Sequence, residues 1–373
     1  MINELSMKEV IDHMEHMVRV MDQNDRVVYM NQSMINQFGN RIGTRCYEVL
    51  KEDKRCEDCI CEDCHRSGKA EAKDIKLEDR HFRVIASPVV MNNNEKYSIE
   101  LFQDISNEKA IEKELSSQYR KMKQDIDFAK QIQYRALPAD GIYWDCIVFD
   151  SLYQPSEALG GDLYDIYQID ENHVLFYIAD VSGHGIQSSL LTIFLRQVIR
   201  GLKAEAKDPK KILYELIRNY QDLNLTQEQY FSILFCVYHR DSHKLVFVNA
   251  GHNALPLILH ENGTVEEIQI GGMPVCVLLT EAIHQTVTVS MKQGDKVVLF
   301  TDGITETWNE KREEHFSSER LIRWMEEHHG QQEKTNGKRN QNKKLLEDLV
   351  HDLNRFSGGG ITDDIAILIA EFL

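Results

Sequence analysis

The sequence predicts an α+β multidomain chain: a small N-terminal α+β unit, a long helical connector, and a larger C-terminal domain of sheets flanked by helices. Three observations predict it. Short runs rich in Val, Ile, Leu, Phe and Tyr, separated by turn residues, recur between Ile147 and Phe300 and read as hairpin strands. Longer runs at helical spacing follow or interrupt them at Ser188 to Lys203, Pro209 to Asp222, Ser318 to Glu327 and Lys343 to Arg355. Between these two kinds of unit, Ser106 to Ala136 is polar and contains neither Gly nor Pro. The chain of 373 residues is long enough for two or three domains. The boundaries expected are 1–105, 106–136 and 137–373.

The N-terminal unit begins with a short helix, about Ser6 to Met17. Val18 to Asp22, the turn Gln23-Asn24-Asp25, and Arg26 to Asn31 form a hairpin. His81 to Met91 and Lys96 to Asp104 supply two more strands. Inside this unit lie Cys46, Cys56, Cys59, Cys61 and Cys64, followed by His65, in the spacing C-x9-C-x2-C-x-C-x2-C-H. Paired C-x2-C elements are the pattern of structural zinc or of an iron–sulfur cluster. The single residue between Cys59 and Cys61 departs from a zinc-ribbon pattern. Redox pairing of the thiols and a plain reduced loop are the competing readings.

In the connector, Leu115, Tyr119, Met122, Ile126, Ala129, Gln133 and Ala136 recur at alternating four- and three-residue steps. That is a heptad seam, weakened at Tyr119 and Gln133, and it predicts a parallel two-stranded coiled coil and hence a homodimer. A single long surface helix is the alternative. The segment His328 to Lys344 is polar and basic, without apolar anchors, and reads as a loop.

A formal charge of −17 excludes a generally basic nucleic-acid-binding surface. No run reaches the roughly 18 apolar residues of a membrane span. The N-terminus lacks the basic start and apolar core of a secretory signal, so a cytoplasmic location with mostly reduced cysteines is expected.

Chemistry concentrates at four acidic positions. Asp162 follows Gly160-Gly161; Asp180 ends the strand His173 to Ala179; Asp302 follows the strand Lys296 to Phe300; Asp363 and Asp364 precede the strand Ile365 to Ala370. Any one Asp beside a Gly reads first as a turn residue. Four aspartates at strand ends suit an oxygen-ligated Mg²⁺ or Mn²⁺, because carboxylates packed together repel unless a cation lies among them.

The strings GGDLYD, ADVSGHG, FTDGITE and GGGITDDIAIL, in this order from about Ala129 to the C-terminus, resemble the PPM-type (type 2C) serine/threonine phosphatases. They are most similar to the bacterial branch typified by the stage II sporulation and stress-response phosphatases. The resemblance implies an αββα sandwich and two Mn²⁺ or Mg²⁺ ions. Asp180 would bridge both ions, Asp162 and the carbonyl of Val181 would complete one, and Asp302 with Asp363 (or Asp364) would hold the other. His184 is a candidate proton donor, and His252, in AGHNA, a structural residue. The implied substrate is a phosphoserine on a small STAS-type anti-anti-sigma protein. The strings VMDQNDRVVYMNQS and ELFQDIS resemble a PAS sensor domain, which implies regulation by a signal. A non-catalytic signalling scaffold is the rival reading.

Overall fold

The computed structural model describes residues 7–50, 53–91, 94–183, 185–202, 207–226, 229–279, 284–329 and 341–373. The chain divides into two compact units, Met1–Met122 and Lys123–Leu373.

The first unit contains α1 (Met7–Asp12), β1 (Met17–Asp22), β2 (Val27–Met30), α2 (Gln32–Phe38), α3 (Cys46–Val49), α4 (Ile60–Ser67), β3 (Glu71–Leu77), β4 (Arg80–Val90) and β5 (Lys96–Asp104). The five strands form one antiparallel sheet in the order β2-β1-β5-β4-β3. Strand alternation turns Phe82, Val84 and Phe102 inward against Met21, Met30 and Met34. The same alternation buries two charged residues. Arg19 on β1 and Glu100 on β5 are direct cross-strand partners, joined by an Nε–Oε2 bond of 2.5 Å. Asn31 caps α2, its Oδ1 accepting from Met34 N at 3.0 Å, and the same oxygen accepts from Val18 N. The sequence pattern missed β3, a polar edge strand with no fully buried residue.

The expected connector is a helix, α5 (Ser106–Ala136), whose length coincides with the Gly- and Pro-free stretch. It runs through the division between the units.

The second unit continues with β6 (Gly141–Tyr143), β7 (Ile147–Gln154), β8 (Asp162–Gln168), β9 (His173–Val181), α6 (Ile186–Gly201), α7 (Pro209–Gln221), β10 (Tyr230–His239), β11 (Lys244–Ala250), β12 (Leu257–Leu259), β13 (Val265–Glu267), β14 (Val275–Cys276), β15 (Thr286–Ser290), β16 (Lys296–Phe300), α8 (Asp302–Thr305), α9 (Ser318–His329), α10 (Gln341–Ser357) and β17 (Ile365–Phe372). One sheet has the order β15-β11-β10-β9-β8, with β14 beside β10; the other has the order β13-β12-β16-β17-β7-β6. Three cores define the layers. Phe149, Phe176, Phe247, Leu299 and Leu368 fill the space between the sheets. Leu195, Leu216 and Tyr220 of α6 and α7 cover the outer face of the first sheet. Leu321, Trp324 and Leu349 of α9 and α10 cover the second. The unit is therefore an αββα sandwich, the architecture the resemblance implied. Its central strands read as continuous apolar runs because both of their faces are covered.

Candidate active site

The four acidic positions arrive from both sheets. Asp162 opens β8 and lies directly across from Asp180 of β9 in the antiparallel register. Asp302 follows β16, where Thr301 precedes the one-turn helix α8, and Asp363 stands just before β17. Strands β16 and β17 pair with Phe300 opposite Ile367, so the chain leaves one and enters the other at the same end of the sheet.

Two glycines permit the close approach. A Cβ on Gly303 would stand 1.9 Å from the carbonyl oxygen of Asp364, so only glycine lets the Asp302 turn pack on the Asp363-Asp364 backbone. A Cβ on Gly161 would lie 2.6 Å from the carbonyl oxygen of Val181. Gly161 O in turn accepts from Val181 N at 3.0 Å.

Hydrogen bonds then fix the carboxylates. Thr301 Oγ1 donates to Asp162 Oδ2 at 2.7 Å and accepts from Ala366 N at 2.9 Å, linking the two sheets. Asp364 is consumed by the loop before β8. Its Oδ1 accepts from Ser156 N and Ser156 Oγ at 2.6 and 2.8 Å, and its Oδ2 accepts from Gly161 N at 2.6 Å. Among the described residues Asp363 accepts only a local bond, from Asp364 N at 2.8 Å. Its side chain is exposed, whereas that of Asp364 is buried. Gln133 of α5 grips the peptide of Gly160 from both sides: Nε2 donates to Gly160 O at 2.7 Å, and Oε1 accepts from Gly160 N at 3.3 Å. The residue that weakened the heptad seam is thus buried against the glycine pair preceding Asp162. Ile126, Ala129 and Ala136 are partly buried as well, while Leu115, Tyr119 and Met122 remain exposed.

Crowding shows in the acidities. Burial, reinforced by Asp180, Asp364 and Asp302, holds the Asp162 carboxyl well above the usual carboxylate range. Burial and the charges of Asp302, Asp363, Asp364 and Glu306 push Asp180 up to about 7. Asp302 is raised too, chiefly by burial, and Asp363, although exposed as a residue, is raised by partial desolvation of its carboxyl. Among the described residues no Lys or Arg pairs with any of these four carboxylates. Uncompensated carboxylates with a nearby backbone carbonyl, and among the described residues no thiol or imidazole, form a donor set that fits hard divalent cations. The aspartates are gathered but not drawn into a closed cage: among the described residues no three His, Cys, Asp or Glu side chains surround one point as a finished metal site.

That finding also bears on the cysteine cluster, where zinc or an iron–sulfur cluster was expected. Cys46 packs from α3 into the main core of the first unit. Cys61 and Cys64, three apart on α4, face Ala86 of the sheet. Cys59 stands at the N-cap of α4, and Cys56 is exposed before it. His65 follows Cys64 on α4 and is partly exposed. Cys59, Cys61 and Cys64 pack together, but Cys46 lies in another core and Cys56 is exposed, so among the described residues the sulfurs do not enclose a tetrahedral site.

Other positions fall where their chemistry requires. Asp165 is fully buried on the face of β8 opposite Asp162, where Arg200 binds it through two bonds of 2.6 and 2.7 Å and Arg196 approaches to 3.2 Å. His252 is buried and kept neutral, burial pulling it down to about 4. Its Nδ1 accepts from Ser232 Oγ at 3.0 Å, and its Nε2–H donates to Phe300 O at 2.9 Å. Ser232 lies across from Asp180, and Phe300 precedes Thr301-Asp302, so the ring ties together two strands that carry site residues. His184 lies outside the described residues. Thr301, Ser156 and Gln133 were missed by sequence reasoning. For Thr301 the adjacency to Asp302 was a usable signal; the other two have none.

A family model described as stage II sporulation protein E (SpoIIE) matches residues 170–373, more than half of the chain. The match includes Asp180, Asp302 and Asp363; Asp162 lies just upstream. The phosphoserine phosphatase RsbP of Bacillus subtilis is 30% identical over 190 residues, 49% of this chain and 45% of that protein. The phosphoserine phosphatase RsbU of the same organism is 24% identical over 187 residues, 50% of this chain and 55% of that protein. The chain spans about half the length of the curated relatives it matches. Among solved structures, the SiaA-PP2C domain of Pseudomonas aeruginosa matches with a TM-score of 0.57 at 21% identity, over 69% of this chain and 100% of that one. The RsbU and RsbW domains of a Mycobacterium tuberculosis protein match with a TM-score of 0.52 at 17% identity, over 63% of this chain and 61% of that one. At these identities the structures establish the fold alone. With the sandwich, the aspartate motifs and the family match together, the chain belongs to the stage II sporulation protein E (SpoIIE) family.

Proposed function

We propose that the chain is a signal-regulated, metal-dependent protein serine/threonine phosphatase whose substrate is a phosphoserine on a small STAS-type anti-anti-sigma protein. One observation carries the reading: four aspartates from the strand ends of two sheets lie together with no Lys or Arg among the described residues paired to them. The phosphoserine phosphatase names of the relatives support the reaction class.

In this reading Asp180 would serve both of two Mn²⁺ or Mg²⁺ ions, with Asp162 and the Val181 carbonyl as further donors to one and Asp302 and Asp363 to the other. Asp363 is preferred to Asp364 because both Asp364 oxygens are already engaged by Ser156 and Gly161. Two bound cations would supply a water acidic enough to attack phosphorus at neutral pH. The protein's own part is to hold the carboxylates in place before substrate arrives. Thr301 orients Asp162, Asp364 pins the loop beneath it, and Gln133 secures the Gly160 peptide. Preorganisation of this kind avoids rearrangement during the reaction.

The N-terminal unit serves as a PAS-like sensor. The exposed stripe Ile111, Leu115, Tyr119 and Met122 on α5 supports a parallel coiled-coil homodimer. No helix among the described residues is long and apolar enough to cross a membrane, which accords with a cytoplasmic site of action. The test is release of phosphate from p-nitrophenyl phosphate and from a serine-phosphorylated STAS protein across a Mn²⁺ titration. Metal-dependent turnover of both is expected; no turnover of either would leave the rival scaffold reading.

A further inference from the structure

Within the first unit, one group of nucleophilic side chains has no part in the phosphatase chemistry. Cys59, at the N-cap of α4, is partly exposed. Its side chain packs against Cys61, two residues on. The Arg55 guanidinium reaches to 3.9 Å from the Cys59 sulfur while also pairing with Asp25 and Glu62. Cys61 is buried, and its thiol donates to Glu100 Oε1 at 2.7 Å. The other Glu100 oxygen is held by Arg19, which also donates to the carbonyl of Cys46 at 3.0 Å. One sulfur of the pair therefore faces solvent beside a cation, and the other is an interior proton donor to a fixed carboxylate.

We propose that Cys59 and Cys61 form a hydroperoxide-reactive dithiol, in which Cys59 is the attacking sulfur and Cys61 the resolving one. This goes beyond the phosphatase reading and does not depend on it. The acidities agree with the division of roles. The neighbouring Cys61 side chain, with the N-terminal N–H groups of α4 and Arg55, brings the Cys59 thiol down to about 6. The neighbouring Cys59 side chain, burial and the charge of Glu100 push the Cys61 thiol far up. A thiolate at a helix N-terminus beside an arginine is the reactive form of cysteine.

The chemistry balances in two steps. The Cys59 thiolate attacks one oxygen of the hydroperoxide; an S–O bond forms, the O–O bond breaks, and the alkoxide or hydroxide leaves, taking a proton from solvent. Sulfur loses two electrons and the peroxide gains them, leaving a sulfenic acid. The Cys61 sulfur then attacks the Cys59 sulfur. The S–S bond forms as the S–O bond breaks, and the Cys61 proton leaves with the hydroxide as water. Glu100 is left with Arg19 as its side-chain partner.

The test uses the full chain, purified without oxygen and freed of reductant. At about pH 6, a thiol of pKa about 6 is half ionised, against roughly 0.3% for an ordinary thiol. After the lower nucleophilicity of an acidic thiolate is subtracted, Cys59 should be alkylated about tenfold faster than an ordinary exposed thiol. Exposed Cys56 serves as the comparison in the same chain. One equivalent of hydrogen peroxide should remove two hydrogens from the protein mass and place a link between Cys59 and Cys61. Cys61→Ser should stop at a sulfenic acid on Cys59 that dimedone traps, and Cys59→Ser should abolish both products; circular dichroism of the reduced variants checks that they fold. Equal alkylation of Cys59 and Cys56, a link formed instead through Cys56 or Cys64, or a stoichiometric zinc or iron ion that shields the thiols would each overturn the proposal.

Discussion

Replacing Asp180 with Asn tests the candidate site on stability as well as on activity. Asn keeps the size of the side chain and removes its charge. In protein stripped of divalent ions, Asp180 is raised from 3.8 to about 7 by burial and by the neighbouring carboxylates. A carboxyl whose folded pKa lies above its unfolded value binds more protons folded than unfolded between those two values. Stability contributed by its neutral form is therefore lost as pH rises from about 4 to 7. A shift of roughly three units corresponds to about 4 kcal/mol at pH 8, and to well under 1 kcal/mol near pH 4. Asp180→Asn should remove that penalty. The chelated variant should unfold at nearly the wild-type temperature near pH 4 and roughly 10 °C above it at pH 8, taking about 2–4 °C per kcal/mol for a unit of this size.

Added Mn²⁺ should then reverse the order. Wild type gains stability in proportion to the logarithm of metal concentration, because the folded form alone presents the gathered carboxylates. The variant should gain little. Phosphatase activity should fall by orders of magnitude and stay low in excess Mn²⁺. Thermal unfolding in chelator at several pH values, repeated across a Mn²⁺ titration, gives both readouts. A variant no more stable than wild type at pH 8, yet equally stabilised by Mn²⁺, would refute the assignment of Asp180 to the centre of the site.

Three further outcomes are expected. Asp165→Asn breaks the pairing of buried Asp165 with the partly exposed Arg200 and Arg196 and should cost about 1–3 kcal/mol in chemical denaturation, while turnover below the unfolding transition stays far above that of Asp180→Asn. Gln133→Leu leaves the Gly160 N–H and C=O without their side-chain partner, so a loss of about 1–3 kcal/mol should accompany a higher Mn²⁺ requirement; an unchanged metal titration would mean the clamp is structural only. The double substitution Leu115→Glu and Met122→Glu places charge in the exposed stripe of α5, and light scattering should report loss of the dimer; an unchanged mass would place any association elsewhere.

What the sequence reveals about this chain follows from which interactions are local. The central strands are legible because most are apolar runs bounded by polar or turn residues, and α5 because nothing in its 31 residues breaks a helix. Strand β3 is not, since a half-exposed edge strand of charged residues carries no apolar signal. The cysteines show the same limit. Their spacing suggests a shared metal, but α4 turns Cys61 and Cys64 onto the sheet while α3 carries Cys46 into a different core. Asp363 and Asp364 make the point at the site itself. They are adjacent and chemically identical, so no pattern along the chain separates them. The difference arises more than 200 residues away, where Ser156 and Gly161 present three donors that consume the Asp364 carboxylate. Gln133 is a related case: a polar residue in an apolar seam reads as a flaw until its partner, the Gly160 peptide, is seen. A residue that breaks the local pattern of its own element is thus best understood by asking which distant backbone group it satisfies.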